Sequence, residues 1–178
     1  MRKKFIILCL LLTVGLVSAC GKETPPQTQT PQTPAGDTQD DYEAGPQIEL
    51  FAYDAVEDQQ YITIYELQPD QEVTPENVAK AYQTQVMEGV YGQAVGINEV
   101  RVDGQRVYID FKAADVEALG LGSGSEGSYF GNLAASIAAN IPDIEAIYYS
   151  MDGNDFVTGH LWFDKDEPFW YPHEAPEE

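Results

Sequence analysis

Residues 128–141 restrict the fold of this chain more than any other segment, because their apolar residues recur at helical spacing. The apolar positions are Phe130, Leu133, Ala134, Ile137, Ala138 and Ile141. A spacing of i, i+3, i+4, i+7, i+8 and i+11 forms one continuous stripe along a helix. Ser128 is the predicted N-cap, and Pro142 cannot continue the helix. The stripe has to be buried against another element of the fold.

A β-hairpin is predicted just before this helix. Two runs of β-branched and aromatic residues, 100–102 and 106–111, flank Asp103-Gly104. This dipeptide supplies the positive φ angles of a tight two-residue turn. In the second run, alternation directs Val107, Ile109 and Phe111 toward the core.

Further elements complete an α+β pattern. Strands are predicted at 48–53 and 61–67, a helix from Thr74-Pro75 to Gly89, and a closing hairpin from 144–151 and 156–163 around a turn at 152–154. Helices that join hairpins indicate an α+β domain over residues 47–172. We expect an antiparallel or mixed sheet of about five to six strands, with two helices packed mainly on one face.

The first twenty residues predict export. Arg2, Lys3 and Lys4 precede an apolar run, 5–17, that is too short to span a bilayer, and small residues follow it. This order is typical of a secretory signal peptide over residues 1–19. Cys20 directly after the small residues resembles the lipobox of bacterial lipoproteins. That resemblance implies lipidation of Cys20 and an extracytoplasmic, membrane-anchored protein.

Residues 20–46 and 173–178 differ in composition from the predicted domain. The stretch 24–34 holds Thr, Pro and Gln without an aliphatic or aromatic residue, which predicts a disordered tether behind the lipidated Cys20. The tail 173–178 is acidic. The whole chain has 30 acidic and 9 basic side chains and a formal charge of −21. Such a surface repels phosphate, so nucleic acid and anionic lipid headgroups are excluded as partners.

Cysteine usage excludes several chemistries. The two cysteines are Cys9, within the predicted signal, and the lipidated Cys20. A mature domain without a free thiol has no disulfide framework, no thiol nucleophile and no Cys-ligated metal.

Three segments taken together resemble a known family. They are Val107-Tyr108-Ile109-Asp110-Phe111, the small-residue helix after a Gly-rich loop, and the strand 144–151 that ends at Asp152-Gly153. This arrangement is similar to the GerMN domain of sporulation and germination lipoproteins, over roughly residues 48–165. The resemblance implies a compact module like the ring-building motifs of secretion-type assemblies, with a non-enzymatic role in envelope assembly. It carries no functional residue across, and this chain has one copy where the best-known members have two.

Few residues of the sequence indicate a catalytic, cofactor-binding or metal-binding site. Residues 122–127 fit G-x-G-x-x-G, but no strand ends at the first glycine and the neighbours are acidic, which favours a surface loop and no cofactor. Asp152, Asn154 and Asp155 offer oxygens for Ca²⁺, although their spacing is not that of an EF-hand. His160 and His173 are the two imidazoles, and His160 is interpreted as a structural or solvent-facing residue. No catalytic residue is assigned, and no enzyme activity is expected.

Aromatic residues are the remaining candidates for an interaction surface. We single out Tyr53, Tyr65, Trp162 and Trp170 as weak candidates for contacts with a glycan or peptide. The favoured alternative is that the tail 169–171 folds back over the aromatic residues of the first two strands.

The sequence therefore predicts a lipid-anchored extracytoplasmic protein that binds or assembles at the cell envelope. The partner is an envelope protein or a second copy of the chain. The alternative is a lipoprotein that binds or hydrolyses cell-wall material, peptidoglycan or another glycan, through its acidic residues.

Overall fold

The computed structural model describes residues 43–172. The predicted signal peptide, Cys20, the tether up to residue 42 and the tail 173–178 lie outside the described residues. The described residues belong to one compact unit. Its elements are β1 (Gln47–Asp54), β2 (Gln59–Glu66), α1 (Pro75–Tyr82) with a π-helical segment (Gln83–Glu88), β3 (Ile97–Asp103), β4 (Arg106–Phe111), α2 (Ala113–Ala118), α3 (Ser123–Asn140), β5 (Ala146–Met151), β6 (Asn154–Val157), β7 (Trp162–Phe163) and β8 (Pro168–Trp170).

The strands form two sheets, and the α+β class predicted from sequence is confirmed. The main sheet is mixed, with the order β3-β4-β5-β6-β7, and β8 pairs with β5 beside β6. Strands β4 and β5 are parallel, and the other pairs are antiparallel. Strands β1 and β2 form a separate antiparallel ribbon. The short helix α2 is an addition to the two predicted helices.

Helix α1 begins as its sequence indicates. Thr74 is the N-cap and its side chain accepts a hydrogen bond from the Asn77 backbone N–H, while Pro75 occupies the first turn. This arrangement satisfies one of the free backbone donors at the helix start. The helix continues into the π-helical segment, which ends before Gly89.

Helix α3 buries the predicted apolar stripe but begins earlier than predicted. Phe130, Leu133 and Ile137 are fully buried. The helix starts at Ser123 after Gly122, so the prediction of a Ser128 N-cap and of a surface loop over 122–127 is wrong. The glycines of this segment disfavour a helix. A tertiary contact of Glu126 outweighs that propensity.

Of the two predicted hairpins, the first is confirmed and the second is only partly correct. The tight turn at Asp103-Gly104 is confirmed, with Gly104 at a φ of +61°. The predicted strand 156–163 is wrong, because β6 and β7 are short strands that pair with each other around a turn at residues 158–161. The Thr158 backbone N–H closes that turn on the carbonyl of Leu161.

The core lies between the main sheet, the inner face of the ribbon and the helices. Val107, Ile109 and Phe111 of β4 face this core, as predicted. Rings from four elements meet edge to face at its centre. They are Phe111, Phe130, Tyr149 and Phe156.

Buried tyrosine hydroxyls are paired with backbone carbonyls. Tyr82 donates to the Tyr129 carbonyl at 2.8 Å, and Tyr149 donates to the Phe130 carbonyl at 2.9 Å. Burial raises the pKa of both hydroxyls, which keeps them protonated donors. On the opposite face of strands β3, β4 and β5, the outward-facing side chains are half-buried or exposed. Among residues 43–172, no helix has the length and apolarity needed to cross a membrane.

Candidate interaction surface

The solvent-facing side of strands β3, β4 and β5 carries two rows of side chains, and we call it the open face. Because successive side chains alternate across a strand, burial of one set directs the other set outward. The strand registers align Arg101, Tyr108 and Tyr148 in the first row, and Glu99, Asp110 and Ser150 in the second.

The first row is a continuous stack. The Arg101 guanidinium carbon lies 3.9 Å from the centroid of the Tyr108 ring. The Tyr108 and Tyr148 rings are 4.7 Å apart and nearly parallel, at 13°. Cation–π contact and ring stacking hold all three side chains in one arrangement. The row is therefore held together by contacts among its own side chains.

The second row centres on a carboxylate that accepts three hydrogen bonds. Asp110 accepts hydrogen bonds from the Ser150 hydroxyl at 2.6 Å, the Gly153 backbone N–H at 2.8 Å and the Asn98 amide at 2.8 Å. Partial burial would raise the pKa of Asp110, but these three donors outweigh it and hold the pKa below its usual value. Asp110 is ionised throughout the neutral range.

A shallow depression of about 340 Å³ lies over the two rows. Its lining residues are Glu99, Arg101, Tyr108, Asp110, Ser150, Gly153, Lys165 and Asp166. Two of its side chains, Arg101 and Lys165, belong to the five basic residues in the described part of the chain. The depression thus combines both charges with tyrosine edges and a hydroxyl. This chemistry suits a polar ligand that carries both a cation and an anion.

The Ca²⁺ candidates do not converge on one point. The Asp152 carboxylate accepts a hydrogen bond from the Asn98 amide at 2.9 Å, and the Asn154 amide donates to the Asp152 carbonyl. Asp155 instead accepts from the Lys165 backbone N–H at 3.2 Å. Within residues 43–172, no three His, Cys, Asp or Glu side chains are grouped as metal ligands.

The predicted aromatic candidates are spread over several strands. Tyr53 lies on the outer face of the ribbon and donates to the Asp58 carboxylate, a hydrogen bond that raises the Tyr53 pKa. Tyr65 and Trp170 are partly buried against the core, and Trp162 of β7 is 65% exposed.

The tail packs on the main sheet. Phe169 stacks on Tyr149 at 4.2 Å, and β8 pairs with β5. Ile62 and Ile64 of the ribbon remain exposed. The prediction that the tail 169–171 covers the aromatic residues of the first two strands is therefore wrong: the tail pairs with β5, and Tyr61 of β2 is 38% exposed.

A buried carboxylate organises the turn between β6 and β7. Glu126 is 3% exposed and accepts hydrogen bonds from the Thr158 hydroxyl and the His160 backbone N–H. The His160 ring nitrogen Nδ1 lies 3.3 Å from the same carboxylate. Glu126 thereby links the first turns of α3 to residues 158–161. His160 is structural here, whereas His173 lies outside the described residues.

Sequence reasoning missed the residues of the open face. Alternation along β4 places Tyr108 and Asp110 opposite the core, and alternation along β5 does the same for Tyr148 and Ser150. That signal was available. The helix between β4 and β5 is typical of a parallel crossover, but the register that brings the two pairs together has no signature in the sequence.

In the comparisons with known proteins, no protein-family model, curated protein or solved structure matches the chain.

Proposed function

We propose that this chain is a lipid-anchored, extracytoplasmic protein whose GerMN-like domain binds another component of the cell envelope through the open face. The depression over Arg101, Tyr108 and Asp110 carries this proposal, since it is polar and accessible and its Arg101 and Tyr108 side chains contact each other. The predicted signal peptide and Cys20 support the extracytoplasmic, lipid-anchored location. The role is one of binding or assembly, related to sporulation or germination in line with the resemblance.

The state of Asp110 favours binding over catalysis. A general acid needs a proton near neutral pH, and a general base needs a pKa close to the working pH. Asp110 has a depressed pKa, and three donors already occupy its oxygens. Such a carboxylate is suited to hold its neighbours and to set the local charge.

The charge pattern indicates the chemistry of the partner. Arg101 and Lys165 stand among Glu99, Asp110 and Asp166, so acidic groups outnumber basic ones in the depression. A peptide segment with a cationic side chain and one carboxylate complements this arrangement. We therefore propose an envelope protein as the partner.

A second candidate function is binding of peptidoglycan at the same surface. The stacked, half-buried Tyr108 and Tyr148 rings favour it, because tyrosine side chains combine apolar area with a hydroxyl. Arg101 would receive a stem-peptide carboxylate.

The test compares two ligands with one set of variants. The chain from residue 21 to 178 is immobilised for capture from envelope extracts, and in parallel is mixed with insoluble peptidoglycan and sedimented. Capture of a defined envelope protein that is lost in Arg101→Ala and Tyr148→Ala supports the proposal. Co-sedimentation that is lost in the same variants supports the second candidate. Lys112→Ala and Trp162→Ala are matched controls, since they remove an exposed cation and an exposed aromatic ring elsewhere. Binding that is unchanged in the open-face variants contradicts both.

A further inference from the structure

Strand β2 has an unusual composition for a strand of this protein. Residues 59–65, Gln-Gln-Tyr-Ile-Thr-Ile-Tyr, include no charged side chain in a chain that is 22% charged. Exposed edge strands commonly carry charge, especially Lys, or Pro, which blocks pairing with another chain. This segment has β-branched and aromatic residues instead, and these favour pairing.

Among residues 43–172, one edge of the ribbon pairs with no further strand, and that edge is β2. On the other side, β1 is closed by side chains of α3. The Ser136 hydroxyl accepts from the Phe51 backbone N–H at 2.9 Å, and Asn140 bonds both the N–H and the carbonyl of Glu49 at 2.9 and 2.7 Å. Strand β1 is the one strand that pairs with β2 in the described residues.

The backbone directions in β2 follow from these contacts. Glu49 and Phe51 direct their backbone groups toward α3, so Leu50 directs its own toward β2, where it faces Thr63. Thr63 therefore directs its backbone N–H and carbonyl toward β1. The residues on either side, Ile62 and Ile64, direct their backbone groups away from β1, toward the unpaired edge of the ribbon. The Ile62 and Ile64 side chains are 50% and 57% exposed on the outer face of the ribbon.

We propose that β2 pairs antiparallel with β2 of a second copy of this chain, about a two-fold axis at Thr63. In this register Ile62 lies opposite Ile64 of the second copy, and the two residues exchange backbone hydrogen bonds. On the inner face, Tyr61 lies opposite Tyr65 of the second copy. The same patch serves both copies, as an isologous interface requires.

Charge selects this register among its neighbours. With the axis at Thr63, Glu66 lies opposite Gln60 of the second copy. With the axis at Ile62, Glu66 would lie opposite Asp58, and like charges opposite each other destabilise a strand pair. With the axis at Ile64, Glu66 would face Ile62. Of the three registers, only the one at Thr63 places both Ile62 and Ile64 opposite an isoleucine of the second copy. It also keeps the Glu66 carboxylate away from other carboxylates.

This dimer extends the proposed assembly role but uses a different sheet from the open face. Its test reads the oligomeric state, and the test of the open face reads capture of an envelope component. Either proposal can therefore fail while the other holds.

The first measurement is sedimentation equilibrium on residues 21–178, which contain the whole compact unit described here. The wild-type chain is expected to be a dimer at high concentration. Ile64→Lys should weaken the dimer by at least about tenfold, since a cation replaces the central apolar pair in both halves of the interface. Val102→Lys is the matched control: Val102 is a β-branched edge-strand residue, 52% exposed, and its variant should stay dimeric.

Engineered cysteines test the register. Residues 21–178 contain no cysteine, so Thr63→Cys introduces a single thiol. Residues opposite each other in a non-hydrogen-bonded pair have Cα atoms about 4.5 Å apart, within reach of a disulfide. Mild oxidation should cross-link Thr63→Cys rapidly. Gln59→Cys is the control, because its two copies would lie roughly 27 Å apart along the paired strands.

Three outcomes would overturn the proposal. A wild-type chain that stays monomeric at high concentration excludes the dimer. A dimer that survives Ile64→Lys uses another surface. Cross-linking of Gln59→Cys as fast as that of Thr63→Cys shows random collision in place of the Thr63 register.

Discussion

Asp110→Asn should destabilise the protein at neutral pH and lose most of that effect in acid. Asp110 accepts from Ser150 and Gly153 through one carboxylate oxygen, and from Asn98 through the other. An asparagine can keep only one of these oxygens. If the oxygen stays with Ser150 and Gly153, the new amide nitrogen faces the Asn98 amide. Asn98 cannot turn to accept, since its amide also donates to Phe111 and Asp152.

The size of the effect follows from this count. The hydrogen bond from Asn98 is lost, and the hydrogen bonds from Ser150 and Gly153 then have a neutral acceptor in place of a charged one. A hydrogen bond to a charged group contributes about 1.5–3 kcal/mol. Solvent screening at this partly exposed site reduces that value, so we expect a loss of about 1–2 kcal/mol in the free energy of unfolding.

The pH dependence has a defined sign. The pKa of Asp110 is lower in the folded state than its ordinary value of 3.8. A carboxyl of this kind contributes its full stability above the unfolded-state pKa, and the contribution is lost as the pH falls through the folded-state pKa. The difference between wild type and Asp110→Asn should therefore be largest at pH 7 and shrink below about pH 4.

Urea unfolding from pH 7 to pH 3 measures this difference. Asp103→Asn is the control, because Asp103 is exposed on the same face and its carboxylate makes only a long ion pair, 3.8 Å, with the Arg101 guanidinium. It should change stability by less than about 0.5 kcal/mol. If Asp110→Asn is as stable as wild type at pH 7, or if its deficit is the same at pH 3, the three donors do not hold the Asp110 charge.

Four further substitutions test the core, the buried carboxylate and two glycines. Phe130→Ala should cost about 3–5 kcal/mol in urea unfolding, since the ring is fully buried among aromatic partners, and a cost under about 1 kcal/mol would show a different core. Glu126→Ala should cost about 2–4 kcal/mol and increase amide exchange at His160, because the N–H of His160 loses its buried acceptor; unchanged exchange would contradict the link. Gly124→Ala, in helix α3 with open space around its Cβ, should stabilise by about 0.5–1 kcal/mol. Gly104→Ala should destabilise the protein by about 1 kcal/mol, since the φ angle of Gly104 is +61°. If both glycine variants change the free energy of unfolding in the same direction, the backbone conformation assigned to one of these glycines is wrong.

Local patterns account for what was predicted correctly. The start of α1 at Thr74, the turn at Asp103-Gly104 and the buried stripe of α3 each depend on residues within a few positions of one another. Capping, positive φ and helical periodicity act over that short range, so they can be read along the chain.

Contacts distant in sequence account for the errors. Helix α3 extends back to Ser123 and the strand after Val157 breaks for the same reason: Glu126 is buried against Thr158 and His160, more than thirty residues away. A glycine-rich segment and an alternating strand pattern were each interpreted by local propensity, which a buried, hydrogen-bonded carboxylate overrides.

The sequence by itself determined the α+β class, the elements that face the core, and which side chains of β4 and β5 point away from it, because alternation and periodicity are properties of neighbouring residues. Only the tertiary structure decided that β4 and β5 are neighbours in the register that stacks Tyr108 on Tyr148 and places Asp110 beside Ser150. It also decided that α3 closes the edge of β1, while the outer edge of β2 pairs with no other strand among residues 43–172. Both outcomes depend on how separate elements pack, and a strand pattern carries no record of its neighbour or of which of its edges is covered.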